Sequence, residues 1–302
     1  MSDYLSDIDQ ATWPPGKIGI LDKGTGELKE KPVYVLNKGN VGERMSIDDK
    51  AIGHDGFTVL SNTDTGKIAL LVECTHAEGV ESAMKQLGTD LHKVKHISMD
   101  MSPTYALACN DLIPRATQVV DKFHVMKHVY DAVPDVRIRI GKELTATLTK
   151  GKKKTEEDKA TLSELELLRR VQHAITQSPD KWNEEMKETI NQVFEKHSEL
   201  KMAYQISQNL KHWYDYRNHL KTTAEITKNL YRWYGQAGQL KAFESVIKMI
   251  RKHEDEIINF FSYGMTNAKA ERLNGKIQRF VSNNYGIKDR DFIFYRIANY
   301  FS

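Results

Sequence analysis

The sequence predicts an α/β fold: a mixed sheet with flanking helices, interrupted by a large all-helical segment. Two observations lead to this prediction. Residues 44–121 alternate short apolar runs with turns and stretches of helical periodicity, whereas residues 155–260 carry helical periodicity alone. Three antiparallel strands followed by strand–helix alternation are typical of a mixed sheet with helices on both faces.

The strands and helices of the first part can be assigned in order. The segments RMSIDD, GFTVLSN and KIALLVEC predict three strands, with a tight turn at DTG. The segments AEGVESAMKQL and SPTYALACNDL predict two helices, the second with Ser102 at its N-cap and Pro103 at its first position. KVKHISMD and ATQVVD predict two further strands, and a longer helix begins near Phe123. The predicted order is therefore β-β-β-α-β-α-β-α.

The chain divides into four parts with different residue patterns. Residues 1–43 contain the turn signals WPPG, DKGTGE and NKGN, which predict a loosely ordered N-terminal arm with a hairpin. Residues 44–145 would form the first part of the sheet domain. Residues 146–262 predict a block of four to six helices, and residues 263–302 a final helix and the C-terminus of the sheet domain.

Composition excludes some classes of protein. Lys and Arg total 44 against 41 Asp and Glu, so the net charge of +3 says little about partners. Cys74 and Cys109 cannot form a zinc site by themselves and suit a reducing compartment. The acidic start MSDYLSDID is not a secretory signal, and no apolar run reaches the roughly 20 residues of a membrane span. We expect a soluble, cytoplasmic protein.

Three carboxylates stand out by position: Asp48 ends the first predicted strand, Asp100 ends the fourth, and Glu271 lies on the last helix. If those two strands are neighbours, their aspartates lie side by side, and two close carboxylates repel each other unless a cation neutralises them. Oxygen-rich sites suit Mg²⁺ or Mn²⁺, and two such ions about 4 Å apart can clamp a phosphodiester. The alternative is that each Asp only favours the turn that follows its strand.

The last helix carries three stripes. Its apolar face comprises Leu273, Ile277, Phe280 and Val281. A stripe of amides around one glutamate comprises Asn267, Glu271, Asn274 and Gln278, and a basic stripe comprises Lys269, Arg272, Lys276 and Arg279. The amide stripe indicates directed hydrogen bonding, and the basic stripe could lie along a phosphate backbone. The alternative is a surface helix whose charges are only solvated.

Four blocks together resemble the catalytic region of DDE transposases of the ISL3 group of insertion sequences: SIDDKAIG, SMDMSPTYALA, VVDKFHVMKHVYDAVPDVR and TNAKAERLNGKIQRF with the following NNYG. The resemblance covers residues 43–302. It implies an RNase H-like fold with a helical insertion between the second aspartate and the glutamate. It also implies metal-dependent cleavage and strand transfer of DNA, with Mg²⁺ or Mn²⁺ as cofactor.

The resemblance assigns roles residue by residue. The catalytic and metal-binding triad would be Asp48, Asp100 and Glu271. The family's first motif reads Ile-Asp-Glu, whereas this chain has Asp49 after Asp48, so Asp49 is the alternative first ligand. Asp121 and His124 would be a supporting pair that orients the site or contacts DNA, although His124 could equally be a buried, hydrogen-bonded histidine.

Family members also carry an N-terminal zinc-binding and helix-turn-helix region, and this chain has no cysteine cluster before Asp48. We expect either a truncated copy or, since the triad is kept, a separate DNA-recognition polypeptide. The expected partners are DNA, at element ends and target, and further copies of the chain when on DNA, near the bacterial nucleoid. The alternative functions are an RNase H-like nuclease without strand transfer and a non-catalytic DNA-binding or assembly protein.

Two further segments suit nucleic acid. WYDYR and YRWYG interleave aromatic residues with arginine, so Trp233 could stack an unpaired base, or Trp213 and Trp233 could be core residues. Residues 137–154 carry a net charge of +6 and include Lys152, Lys153 and Lys154. Such lysines neutralise phosphates and carry no sequence information.

Overall fold

The computed structural model describes residues 13–21, 24, 26–149, 155–216, 222–263, 268–284 and 289–302. The chain forms two compact units. The first comprises the part up to Asp121 together with the part from Tyr263 onward, and the second runs from Lys122 to Ser262. The first unit contains the sheet, and the second is helical.

The sheet of the first unit has seven strands among the described residues. They are β1 (Gly16–Leu21), β2 (Leu28–Leu36), β3 (Arg44–Ile52), β4 (Asp55–Asn62), β5 (Ile68–Val72), β6 (His96–Met99) and β7 (Thr117–Val120). Their spatial order is β1-β2-β5-β4-β3-β6-β7. The pairs β1–β2, β2–β5, β5–β4 and β4–β3 are antiparallel, whereas β3–β6 and β6–β7 are parallel. The predicted mixed sheet is therefore confirmed.

Eleven α-helices lie in the described part of the chain. They are α1 (Ala77–Lys85), α2 (Pro103–Leu112), α3 (Lys122–Thr147), α4 (Glu156–Arg170), α5 (Glu184–Lys196), α6 (Ser198–Asp215), α7 (Thr223–Ala237), α8 (Glu244–Lys252), α9 (Glu254–Tyr263), α10 (Ala268–Asn283) and α11 (Arg290–Phe301). None of the described helices is long and apolar enough to cross a membrane. The predicted block of four to six helices corresponds to α4–α9.

The first strands correct one prediction. The predicted hairpin is present as β1 and β2, but residues 16–36 are not a loosely ordered arm, because this hairpin joins the sheet through β5. Val33 pairs with Val72, and both side chains are fully buried. The sequence analysis did not predict β2 as a strand, because its LKEKP half is polar and only its second half is buried.

Helices cover both faces of the sheet, as predicted. On one face α1 and α2 place Met84 and Tyr105 in a core with Ile47 of β3. On the other face α10 and α11 place Ile277 and Phe294 in a second core. The two faces therefore have separate apolar cores, and consecutive residues of β3 point into different ones.

Helix α11 was missed by the sequence analysis, which predicted only one helix after the helical block. Its apolar residues surround much of the helix rather than forming one stripe, so the periodicity was weak. The structure buries Phe294 against Tyr34 and Phe57, with ring centroids 4.0 and 4.9 Å away. The aromatic contacts are long-range pairs that the local sequence does not indicate.

A carboxylate caps the N-terminus of α4 in the helical unit. Asp158 accepts hydrogen bonds from the backbone N–H of Thr155 at 2.8 Å and of Thr149 at 2.9 Å, and from the hydroxyl of Thr149. The Thr155 hydroxyl in turn accepts from the Asp158 N–H at 3.0 Å, which completes a capping box. The Thr149 hydroxyl and these N–H groups hold the pKa of Asp158 well below its ordinary value of 3.8.

We predict that this carboxylate makes the stability of the chain depend on acid pH. Because its pKa is lower in the folded chain than in the unfolded one, its contribution is complete above about pH 5 and declines as the pH falls below about 4. Asp158→Asn should lower the midpoint of urea unfolding at pH 7 and flatten its dependence between pH 2 and pH 5. Asp180→Asn, at an exposed site of the same unit, is the control. An unchanged acid profile in Asp158→Asn would contradict the prediction.

Candidate carboxylate site

The pairing of β3 with β6 brings the first two predicted carboxylates to one edge of the sheet. Ser46 pairs with Ser98 in parallel register, and both are buried. The same register carried two residues further places Asp48 next to Asp100, on the same face as the serines. The prediction that these two strands are neighbours is therefore confirmed.

The third aspartate in the row follows β7. The backbone N–H of Asp121 donates to the carbonyl oxygen of Met99 at 3.0 Å, so Asp121 lies beside the end of β6. Its side chain is buried, whereas Asp100 is half-buried. Asp100 also accepts a hydrogen bond from the N–H of Ser102 at 2.8 Å, at the start of α2. Asp100 and Asp121 thus follow the ends of β6 and β7. Asp48 lies within β3, which continues to Ile52, so the prediction that Asp48 ends its strand is wrong.

Helix α10 packs its predicted apolar side over this face and brings an amide to Asp48. Leu273 and Ile277 are buried in the core beneath the helix. Between them, the side-chain N–H of Asn274 donates to Oδ2 of Asp48 at 2.8 Å. Glu271 lies one turn earlier on the same side of the helix and is exposed.

The other end of the Asn274 amide is unusual. Its Oδ1 is buried and has no hydrogen-bond partner among the atoms that the structure describes. The donated bond to Asp48 orients this oxygen, because the amide nitrogen and oxygen cannot exchange places without losing that bond. An oxygen without a partner beside two aspartates is the kind of atom that a cation would satisfy.

Asp49, the alternative first ligand, faces the other side of the sheet. It pairs with Thr58 of β4, whose hydroxyl lies 3.4 Å from the hydroxyl of Tyr105 on α2. Its own N–H donates to Oδ1 of Asp48 at 2.9 Å. Strand geometry therefore directs Asp48 toward α10 and Asp49 toward α2. Of the two candidates for the first metal ligand, Asp48 is the one on the same face as Asn274.

Besides burial, the negative charge of the aspartates at this edge contributes to the raised pKa of Tyr105. Burial is the main cause that raises the pKa of its hydroxyl, and the hydrogen bond with Thr58 opposes the rise. The charges of Asp49, Asp100 and Asp48 raise it further. These three carboxylates are therefore all within electrostatic reach of one buried phenol.

The donor atoms at this edge fit a hard divalent cation. Asp48, Asp100 and Asn274 supply carboxylate and amide oxygens, the ligands that Mg²⁺ and Mn²⁺ prefer. Within the described ranges, however, no three Asp, Glu, His or Cys side chains are grouped closely enough to hold a metal ion. The convergence of Glu271 with the two aspartates therefore stays a prediction.

A basic depression lies on the next stripe of α10. It has a volume of about 300 Å³ and is lined by four cationic side chains, namely Lys67, Lys269, Arg272 and Lys276. No acidic residue is among the described residues that line it. The ammonium group of Lys269 donates to the carbonyl oxygen of Asp64, which ties α10 to the β4–β5 turn. Lys67 was missed by the sequence analysis, because only packing brings this turn next to α10.

The other predicted site residues are placed as follows. Lys152, Lys153, Lys154 and Asn267 lie outside the described residues. His124 is half-buried in the first turn of α3, with its ring edge-on to Phe123 at 5.7 Å. Its two predicted roles both remain open.

One nucleic-acid residue was predicted wrongly. Trp233 is only 3% exposed, and its indole N–H donates to the carbonyl oxygen of Ile206 at 2.9 Å. Its ring lies at 6.4 Å from that of Phe243 in the interior of the helical unit. Trp213 is also buried. The alternative that both tryptophans are core residues is therefore confirmed, and Trp233 is not available to stack a base.

Comparison with known families gives one match. Residues 45–297 match the ISL3-type family of DDE transposases, which is described as "Transposase". The match covers most of the chain, so the protein belongs to this transposase family. Comparisons with curated proteins and with solved structures found no match.

We predict that Trp233 acts through stability. Trp233→Ala should lower the free energy of unfolding by about 3–5 kcal/mol, because it removes a buried ring and leaves the Ile206 carbonyl without its donor. Tyr231→Ala, at a position on the same helix that is 56% exposed, should cost less than about 1 kcal/mol. Urea unfolding followed by circular dichroism measures both. Equal losses in the two variants would show that Trp233 is not a core residue.

Proposed function

We propose that this transposase cuts DNA at the ends of its insertion sequence and joins the freed 3′ ends to target DNA in the same site. The observation that supports this most directly is the parallel register of β3 and β6, with Ser46 opposite Ser98, which sets Asp48 beside Asp100 two residues further on. Asp48, Asp100 and Glu271 would be the catalytic and metal-binding residues. Asp121, which follows β7 beside the end of β6, would support them.

The fold fits this proposal. A mixed sheet with helices on both faces, whose first and fourth predicted strands pair in parallel, is compatible with an RNase H-like core. The helical unit lies in the sequence between Asp121 and Glu271, where the proposed insertion belongs. A glutamate that follows a long insertion would then return to the sheet on α10, whose apolar side is buried there.

A bound Mg²⁺ or Mn²⁺ would neutralise phosphate charge and activate the attacking oxygen. Asp48, Asp100 and Glu271 would hold it, and the unpartnered Oδ1 of Asn274 adds a further oxygen beside Asp48. The N–H of Asn274 holds the Asp48 carboxylate in one orientation, so that this group does not have to be reordered during the reaction.

The basic depression would bind the DNA backbone. Arg272 and Lys276 lie on the stripe of α10 adjacent to that of Asn274, so a strand held there would run past the carboxylates. Such contacts with phosphates position a duplex and do not read its sequence. Lys152, Lys153 and Lys154, which lie outside the described residues, would neutralise further phosphates through charge.

A nuclease without strand transfer is the competing function. Both reactions need the same carboxylates, so only the products distinguish them. Purified protein incubated with Mg²⁺, labelled element-end DNA and a supercoiled plasmid should yield joined molecules in addition to cut ones. Cut products without joined ones would favour the nuclease, and neither product would favour a non-catalytic DNA-binding protein.

We predict that the two aspartates that follow Ile47 differ in effect. Asp48→Asn, Asp100→Asn and Glu271→Gln should each reduce Mg²⁺-dependent cleavage by at least about a hundredfold while the fold is kept, because each removes a charged metal ligand. Asp49→Asn is the matched control, since its side chain faces α2 and activity should stay within about threefold of the wild type. A result in which Asp49→Asn is inactive and Asp48→Asn is active would reverse the assignment.

We predict that Asn274 supports the reaction through Asp48. Asn274→Ala should lower the cleavage rate by about 10- to 100-fold and raise the Mg²⁺ concentration that the reaction needs, because Asp48 loses its donor. DNA affinity measured in EDTA should not change. Gln278→Ala removes an exposed amide about one turn further along α10 and should have little effect. An unaltered Mg²⁺ requirement in Asn274→Ala would exclude this role.

A further inference from the structure

A pocket between α6 and α7 has no part in the proposed carboxylate chemistry. Its volume is about 410 Å³, within the range of sites for small ligands. It is lined by aromatic, amide and basic side chains: Asn209, His212, Trp213, Tyr216, Asn229, Arg232, Trp233 and Gln236. Among the described lining residues Arg232 is the one with a permanent charge, and none is acidic.

Planar rings form much of the pocket. Tyr216 is 48% exposed, and its ring lies 5.3 Å from that of His212, which is also exposed. The buried rings of Trp213 and Trp233 contribute the more enclosed part of the wall. A planar ligand can therefore contact an exposed ring at the mouth and apolar ring surface further in.

The polar groups of the pocket are held in place by one another. The side-chain N–H of Asn209 donates to Oε1 of Gln236 at 3.0 Å, so the Asn209 oxygen and the Gln236 amino group remain as acceptor and donor. The guanidinium of Arg232 donates to Oδ1 of Asn229 at 2.8 Å, which holds its charge at the pocket. An acceptor and a donor side by side match the edge of a nucleobase.

One residue of the pocket wall also carries a buried donor without a partner in the described part of the chain. Trp213 lines the pocket and is only 6% exposed, and its indole N–H has no hydrogen-bond partner among the described atoms. A buried donor without a partner is costly in a folded protein, whereas the neighbouring Trp233 N–H is satisfied by a carbonyl oxygen. This unsatisfied donor belongs to a residue that lines the pocket.

We propose that this pocket binds one unpaired nucleobase of a DNA strand, in addition to the contacts that the carboxylate site makes. Tyr216 stacks on the base, the Asn209–Gln236 pair contacts its edge, and Arg232 binds an adjacent phosphate. This inference rests on the proposed function, because it takes DNA to be the ligand. It replaces the predicted stacking on Trp233 by stacking on a ring that is exposed.

The test is a binding measurement on the full chain in EDTA, where cleavage does not occur. The probes are a fluorescein-labelled 16-nucleotide single strand, the matching duplex, and a duplex with one extrahelical 2-aminopurine. Tyr216→Ala and Arg232→Ala should each weaken binding to the single strand and the extrahelical probe by about tenfold, with duplex affinity within about twofold. Tyr216→Phe should retain binding, and the wild type should quench 2-aminopurine emission.

Matched controls separate the pocket from general charge and folding effects. Tyr231→Ala removes a tyrosine of similar exposure outside the pocket, and Arg169→Ala removes an exposed arginine of α4. Neither should discriminate between single strand and duplex. Equal losses on all probes, a loss in Tyr216→Phe as large as in Tyr216→Ala, or an unchanged affinity in Tyr216→Ala would overturn the proposal.

The failure of this proposal and that of the proposed function can be told apart. Asp48→Asn should bind the extrahelical base as the wild type does, because the carboxylate is not a pocket residue. A chain that binds the base but neither cuts nor joins DNA would refute the strand-transfer function and keep the pocket. A chain that cuts and joins DNA while Tyr216→Ala binds normally would refute the pocket alone.

Discussion

The parallel pairing of β3 with β6 is the constraint on which the rest of the first unit depends. One hydrogen-bonded register, with Ser46 opposite Ser98, determines which side chains reach the sheet edge together. A shift of that register by one residue would move Asp48 to the face covered by α1 and α2, away from Asn274. The buried residues Met45, Ile47 and Ile97 oppose such a shift, since they would leave their core. Apolar packing on one face thus secures the position of polar groups on the other.

Local patterns predicted much of this arrangement because they reflect short-range physics. The strands β3–β7 and helices α1 and α2 follow from periodicity, and Asp100 follows the end of its strand as predicted, whereas β3 continues past Asp48 to Ile52. The amide stripe of α10 indicated directed hydrogen bonding, and Asn274 makes such a bond with the carboxylate of Asp48. The identity of that partner depends on how α10 packs on the sheet, which no local pattern contains.

The errors have physical causes of the same kind. β2 was hidden because half of it is polar, and its place in the sheet depends on pairing with the distant β5. Trp233 and Tyr216 belong to similar aromatic and basic segments, yet one is buried and the other exposed. Composition cannot separate these two cases, because burial depends on the rotation of each helix against its neighbours. The same limit applies to Lys67, which joins the basic stripe of α10 only through the fold.

The double attachment of Asp158 has a consequence for how this protein can vary. One carboxylate holds the backbone at Thr149 and at Thr155, so it joins the two ends of the lysine-rich segment directly. The ends of α3 and α4 are then held together by Asp158 whatever side chains residues 150–154 carry. The charge of the residues between these two threonines can therefore change with DNA binding as its main constraint, because the attachment to Asp158 uses none of their side chains.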